Sequence, residues 1–313
     1  MKEIRDIIRL FETRRDQPMA LATLVRARGS SYRRPGARML ICEDRCAAGS
    51  LSGGCLEEEV KDRAVLVMRD AKPELVSFDT RRRFGCNGGI DVVIEPVRRD
   101  FLEDLAANFR ARRLCRVATV FGGGANERGT RMVGQDFQSG TGAFIQEIEP
   151  AIRLLIFGDG PDSTALRGFA EILGWEVIDL DEPAELRGLA DSRTAAVVKS
   201  HNYGRDFAAL CALLPLDLPY VGLLGPRQRR EQLLNAVLDE GITIDAEIFG
   251  PAGLDLGAET PEELALSLVA EIQATFAGAS GESLHNRKAP IHGWNVARKP
   301  APSSSSTWHV SAP

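Results

Sequence analysis

The sequence predicts an α/β protein in two parts. A mixed α+β domain spans residues 1–150, a Rossmann-like doubly wound parallel-sheet domain spans 151–278, and 279–313 form a C-terminal tail whose distal part is expected to be disordered. Three observations carry this. A chain of 313 residues is longer than one hydrophobic core usually supports. Near Glu149-Pro150 the pattern shifts from strands with a few helices to strand and helix repeating at short intervals. The apolar run 154–157 leads directly into Gly158-Asp159-Gly160 and then a helix, which is a βα unit.

In the first domain the β-formers of 19–28 predict a strand and 38–42 a shorter one, while 55–69 has the apolar i, i+3/i+4 spacing of a helix. Residues 75–78 and 90–97 read as strands, and 100–113 as a helix with Phe101, Leu102, Leu105 and Phe109 on one face. Strands at 117–121 and 145–148 complete it. In the second domain 154–157, 175–180, 195–198 and 220–224 are predicted strands separated by helical stretches, the first helix reaching Leu173. Uninterrupted apolar strands belong in a parallel sheet covered on both faces. Thr260-Pro261-Glu262-Glu263 opens a last helix with a hydroxyl cap, proline in the first turn and a carboxylate three residues after the cap.

Composition narrows the function. Hydrophobic residues at 44% and charged residues at 27% suit a folded chain rather than a disordered one. The 39 Lys+Arg against 44 Asp+Glu, net −5, give no global field for a polyanion, and three Tyr and three Trp offer few stacking platforms, so nucleic-acid binding is not expected. No apolar run approaches the roughly 20 residues of a membrane span, and Met1-Lys2-Glu3-Ile4-Arg5-Asp6 is charged where a signal peptide is apolar; a cytoplasmic location is expected. The six cysteines, Cys42, Cys46, Cys55, Cys86, Cys115 and Cys211, are too sparse for a disulfide scaffold and read as reduced thiols.

Glycine-rich segments hold the candidate sites. Gly158 and Gly160 follow a strand and open a helix, and Asp179 stands about 20 residues on, where a dinucleotide fold places the acid that binds ribose. Ser163 replaces the third glycine, and Asp159 and Asp162 bring negative charge to the expected phosphate position, so another ligand or an assembly role competes with a dinucleotide. Gly49-Ser50-Leu51-Ser52-Gly53-Gly54-Cys55-Leu56-Glu57 sets a thiol at the predicted helix start. Helix-start amides would favour a thiolate, so Cys55 reads as a nucleophile or soft-metal ligand; a small cysteine packed under a glycine turn is the competing reading. Cys86, in Arg81-Arg82-Arg83-Phe84-Gly85-Cys86-Asn87-Gly88-Gly89, repeats the arrangement behind three cations. The polar loop Gly29-Ser30-Ser31-Tyr32-Arg33-Arg34-Pro35-Gly36-Ala37-Arg38 suits a phosphate or carboxylate, or is an ordinary turn. His201, at the end of a strand where open α/β sheets bind ligands, is a candidate acid or base, and Arg227 opens a helix near that edge.

Together these segments resemble the XdhC/CoxI family, accessory proteins of xanthine dehydrogenase and related molybdenum hydroxylases. The resemblance runs from about residue 10 to 271. Beyond the glycine-rich motifs, it rests on Ser200-His201 with Asp206, Tyr220-Val221-Gly222-Leu223-Leu224-Gly225 and Gly253-Leu254-Asp255-Leu256-Gly257-Ala258. It implies a chain that receives molybdenum cofactor (molybdopterin), protects it while a cysteine desulfurase supplies the sulfido ligand, and delivers it to the apo-hydroxylase. The candidate residues sort accordingly. Cys55 and Cys86 are metal-facing or reactive thiols, and His201 is a reactive group. Ser30, Ser31, Arg38, Ser52, Gly53, Gly54, Gly88, Gly158, Gly160, Asp179 and Arg227 are cofactor-binding. A homodimer is expected. The alternative reading is an NAD(P)-dependent oxidoreductase built on the second domain.

Overall fold

The computed structural model describes residues 1–29, 31–79, 88–138, 140 and 142–288. The chain divides into two compact units, residues 1–153 with 170–177, and 154–169 with 178–313.

The first unit is built on a five-stranded sheet, β3-β2-β1-β5-β4, of β1 (Met19–Gly29), β2 (Arg38–Cys42), β3 (Ala47–Gly49), β4 (Glu74–Asp79) and β5 (Gly88–Pro96), with every neighbouring pair antiparallel. Helices α1 (Lys2–Thr13), α2 (Glu57–Asp70) and α3 (Arg99–Arg110) accompany it. Successive side chains of a strand point to opposite faces. Ala20, Ala22 and Leu24 of β1 therefore join Val60, Ala64 and Val67 of α2 in one core cluster. Met19 and Leu21 join Ile4, Ile7, Ile8 and Phe11 of α1 and Phe101, Leu102 and Leu105 of α3 in another. Burial on both faces explains why β1 reads as a continuous apolar run rather than an alternating one. A three-stranded antiparallel sheet, β7-β6-β8, adds β6 (Cys115–Val120), β7 (Gly129–Met132) and β8 (Ala143–Ile148).

The second unit carries a five-stranded sheet of β9 (Arg153–Phe157), β10 (Glu176–Leu180), β11 (Thr194–Val198), β12 (Tyr220–Leu223) and β13 (Ile248–Phe249), in the order β10-β9-β11-β12-β13. The pairs β11–β12 and β12–β13 are parallel. Helices α4 (Pro161–Leu173), α5 (Tyr203–Leu213), α6 (Arg227–Asp239) and α7 (Pro261–Ala277) connect and follow the strands. Leu155, Ala196, Val198, Val221 and Leu223 pack with Leu210 and Leu213 of α5 and Leu233 and Val237 of α6. The intervening Leu154, Ile156, Ala195, Val197 and Tyr220 are equally buried. On their side the Tyr220 hydroxyl donates to Glu271 of α7 at 2.7 Å. The sheet is thus covered on both faces, as its uninterrupted apolar strands require. The last helix starts as expected: the Thr260 hydroxyl accepts from the Glu263 amide while the Glu263 carboxylate accepts from the Thr260 amide.

The structure differs from the sequence expectation in several places. Helix α1 is additional to the expected elements, although Ile4, Ile7, Ile8 and Phe11 have helical spacing. The short strands β3, β7 and β13 are additional too. Helix α2 begins at Glu57, so Cys55 precedes the helix instead of opening it.

The strand order of the second unit reverses direction beside β9, and there the backbone is drawn tight. Gly158 has φ +103°, and a Cβ on it would lie 2.4 Å from Ser200 Cα, past the end of β11. Gly158→Ala is expected to lower the unfolding free energy by more than about 1 kcal/mol. Gly188 shares a positive φ but has open space around it, so Gly188→Ala in the same urea titration isolates the steric part; equal losses in the two variants would contradict the close-approach account.

Candidate functional site

In the first unit the loop after β3 is organised by one carboxylate. Glu57 Oε1 accepts from the amides of Leu51 (3.2 Å) and Ser52 (2.8 Å), and Oε2 accepts from the Ser52 hydroxyl (2.6 Å) and the Leu56 amide (3.1 Å). Ser52 Oγ in turn accepts from the Gly54 amide at 3.2 Å and the Cys55 thiol at 3.5 Å. Burial pushes the Glu57 carboxyl up, and the hydrogen bonds from Ser52 and Leu56 outweigh it, holding it below the usual carboxylate range. The amides of Leu51, Ser52, Gly54 and Leu56 are therefore used inside the loop. The loop instead presents Cys55, which is exposed, with Gly54 in front of it at φ +108° and no atom within 4 Å of where its Cβ would be.

The loop between β1 and β2 is tied to this one. Arg33 donates to Ser50 Oγ at 3.0 Å and pairs with Glu3 of α1, whose other oxygen accepts from the Arg38 amide at 3.0 Å. A Cβ on Gly53 would stand 3.8 Å from the Tyr32 ring, so the ring is turned toward this glycine. Ser31 turns inward, its hydroxyl donating to the Arg33 carbonyl at 2.7 Å.

Arg38 is placed differently from its expected role. Only 1% exposed, its guanidinium donates to the Gly36 carbonyl and to Gln146. Burial pulls its pKa down to about 10 against the attraction of Glu3 and Glu95. It organises the interior rather than facing a ligand in solvent. Gly88 is buried opposite Gly29 at the paired ends of β5 and β1. Nearby, Asp91 receives both terminal nitrogens of Arg28, at 2.7 and 3.0 Å, and the Ser77 hydroxyl at 2.7 Å. Ser30 and Cys86 lie outside the described residues. Among the described residues no three His, Cys, Asp or Glu side chains converge as a metal site.

In the second unit a cleft of about 140 Å³ opens at the carboxyl ends of β9, β10 and β11, lined by Gly158, Asp181, Glu182, Ser200 and Arg205 among others. That is where open α/β sheets bind ligands, though the volume is below the roughly 300 Å³ at which small-molecule pockets begin. The glycine turn is self-satisfied: the Gly160 amide donates to Asp159 at 2.8 Å, and Pro161, the first residue of α4, has no N–H to give. Beneath it the fully buried Lys199 ammonium donates to Ser163 Oγ at 2.8 Å and pairs with Asp162 at 3.0 Å. Asp206, also fully buried, accepts from the Ser200 amide at 3.0 Å and from Arg229 at 2.7 Å. His201 follows Ser200, exposed and at φ +55°. Arg227 is exposed at the start of α6.

The structure therefore brings Gly158 and Ser200 together, with His201 exposed next to Ser200, while Asp179 is engaged elsewhere, held by two Arg167 nitrogens at 2.8 and 2.9 Å. Of the two acids lining the cleft, Asp181 is paired with Arg205 at 3.2 Å. Sequence reasoning misses it by two residues because it counts from the glycines and not from the strand end. Lys199 is missed as well, although a lysine closing the apolar run Ala195-Ala196-Val197-Val198 signals a buried partner such as Asp162.

A folded-state pKa held low contributes stability above the unfolded value, and that contribution is lost as pH falls through the depressed one. Glu57→Gln is therefore expected to cost about 1–2 kcal/mol at neutral pH. The gap to the native chain should close below the usual carboxylate range. Urea unfolding across a pH series reads this; a gap independent of pH would refute the charge-held loop.

Comparison with known proteins shows the family. Residues 13–79 match the model of the XdhC and CoxI family, and residues 154–272 that of the XdhC Rossmann domain. A Bacillus subtilis protein described as a probable subunit of xanthine dehydrogenase is 32% identical, the match covering 82% of this chain and 92% of the relative. The molybdenum cofactor insertion chaperone PaoD of Escherichia coli is 27% identical over 80% of this chain and 81% of its own length. A crystal structure described as a xanthine dehydrogenase from Bacillus halodurans superposes with a TM-score of 0.74 at 27% identity, covering 89% of this chain and 98% of that one. The chain belongs to the XdhC and CoxI family, with its Rossmann domain in the second unit.

Proposed function

We propose that this chain is a maturation factor for a molybdenum hydroxylase of the xanthine dehydrogenase type. It binds molybdenum cofactor as cargo, holds it while a cysteine desulfurase supplies the sulfido ligand, and passes it to the apoenzyme, working as a homodimer. The observation that carries this reading is the exposed Cys55 on a carboxylate-anchored loop inside the segment that matches the XdhC and CoxI family. The relatedness to a protein named as a molybdenum cofactor insertion chaperone supports it. A thiol is a soft donor of the kind that suits molybdenum, and the open space at Gly54 leaves it approachable.

The second unit does not favour the oxidoreductase alternative. With the Gly160 amide taken by Asp159 and Pro161 lacking an N–H, the turn has few donors for a diphosphate. No helix among the described residues is long and apolar enough to cross a membrane.

Anaerobic purification from cells that make the cofactor, followed by oxidation to the fluorescent pterin, tests the proposal. The native chain is expected to retain pterin in stoichiometric amount and Cys55→Ala to lose most of it. Absence of pterin from the native chain, together with failure to activate an apo-hydroxylase on mixing with free cofactor, would overturn the reading. Micromolar binding of NAD(P)H would favour the alternative.

A further inference from the structure

Tyr32 is the most exposed large hydrophobic side chain of the described residues, at 73%. A single exposed aromatic is ordinary on a protein surface; what sets this one apart is how it is held. A Cβ on Gly53 would stand 3.8 Å from Tyr32 Cγ and 3.9 Å from each of Cδ1 and Cδ2. Near-equal distances to Cγ and to the atoms on both sides of the ring axis put the added Cβ over the ring face, since an approach in the ring plane would make them clearly unequal. One face of the phenol is turned toward Gly53, whose missing side chain leaves room over the ring, and the residue is largely exposed.

The loop that carries the ring is anchored beside it. Arg33, the next residue, is anchored to Ser50 and Glu3. Gly53 belongs to the turn that Glu57 holds through Ser52. Two residues beyond Gly53 stands the Cys55 thiol, 3.5 Å from Ser52 Oγ. An aromatic face on one loop is thus turned toward the short turn that carries a soft donor on the other. An aromatic face binds flat π-systems without regard to their hydrogen-bonding edge, and the proposed cargo joins a pterin, whose pyrimidinone ring is flat, to a metal dithiolene.

We infer that Tyr32 is a binding residue that stacks on the pyrimidinone ring of the cargo's pterin, beside Gly53 and with Cys55 toward the metal end. The inference rests on the function proposed above. It requires nothing of the phenol hydroxyl, so Tyr32→Phe serves as the conservative control.

The test measures dissociation constants anaerobically for two probes: molybdenum cofactor released from a purified hydroxylase, and a small oxomolybdenum dithiolene that lacks the pterin. Tyr32→Ala is expected to weaken the cofactor by roughly tenfold or more, on the scale of base–aromatic stacking, with Tyr32→Phe close to native and the dithiolene bound equally by all three. Equal cofactor affinity in Tyr32→Ala and native chain overturns the stacking role and leaves the proposed function standing. Parallel loss of both probes also overturns it, because Tyr32 would then merely shape the loop. If the native chain binds neither probe, it is the proposed function that falls.

Discussion

The interaction on which the first-unit site depends is the carboxylate of Glu57 gathering three amides and one hydroxyl from residues 51–56. Hydrogen bonds to an ionised acceptor are roughly twice as strong as neutral ones. Here they close a turn that would otherwise leave amide donors unsatisfied just ahead of α2. Because Ser52 gives its proton to Glu57, its oxygen is free to accept from Gly54 and Cys55, and the position of the thiol follows from the position of the carboxylate. Arg33 extends the order to the neighbouring loop through Ser50.

The same device recurs in the second unit. Asp159 caps the amide of its own glycine turn, and Asp206 holds Ser200 at the end of β11 while receiving Arg229. Lys199 and Asp162 form a buried pair beneath the turn. Breaking one partner of such a pair leaves an uncompensated buried charge, so these residues bind the sheet ends to the helices that follow. In both units side-chain carboxylates occupy amides that a glycine-rich sequence, taken alone, offers to a ligand. What stays exposed is Cys55 and Tyr32 in one unit, and the cleft by Gly158 and Asp181 in the other.

Much of the fold is legible from residue pattern. The apolar runs at β9, β11 and β12, the βα turn at Gly158 and the capping box at Thr260 all announce themselves through local physics, either burial periodicity or a short-range hydrogen bond. The order of family motifs is legible too, and the comparisons agree with it. The inside of each site is less readable. Nothing local distinguishes Arg38, whose basic neighbours suggest a surface loop, from a guanidinium buried against Gln146, 108 positions away in the chain. Asp179 is diverted by Arg167 on the adjacent helix, a contact that depends on how α4 lies beside β10. The role of Glu57 can be glimpsed, since a carboxylate five residues after a serine can reach back to it, but only the three-dimensional turn shows it taking the amides.

The central claim is that cargo is met by the turn that Glu57 holds, at Cys55. Iodoacetamide labelling resolved by cysteine in the mass spectrometer, with and without bound molybdenum cofactor, tests it most directly, because Cys46 is exposed as well and serves as the internal reference. The account predicts that bound cofactor protects Cys55 and leaves the labelling of Cys46 unchanged. Labelling of Cys55 at the same rate in loaded and empty chain would contradict it.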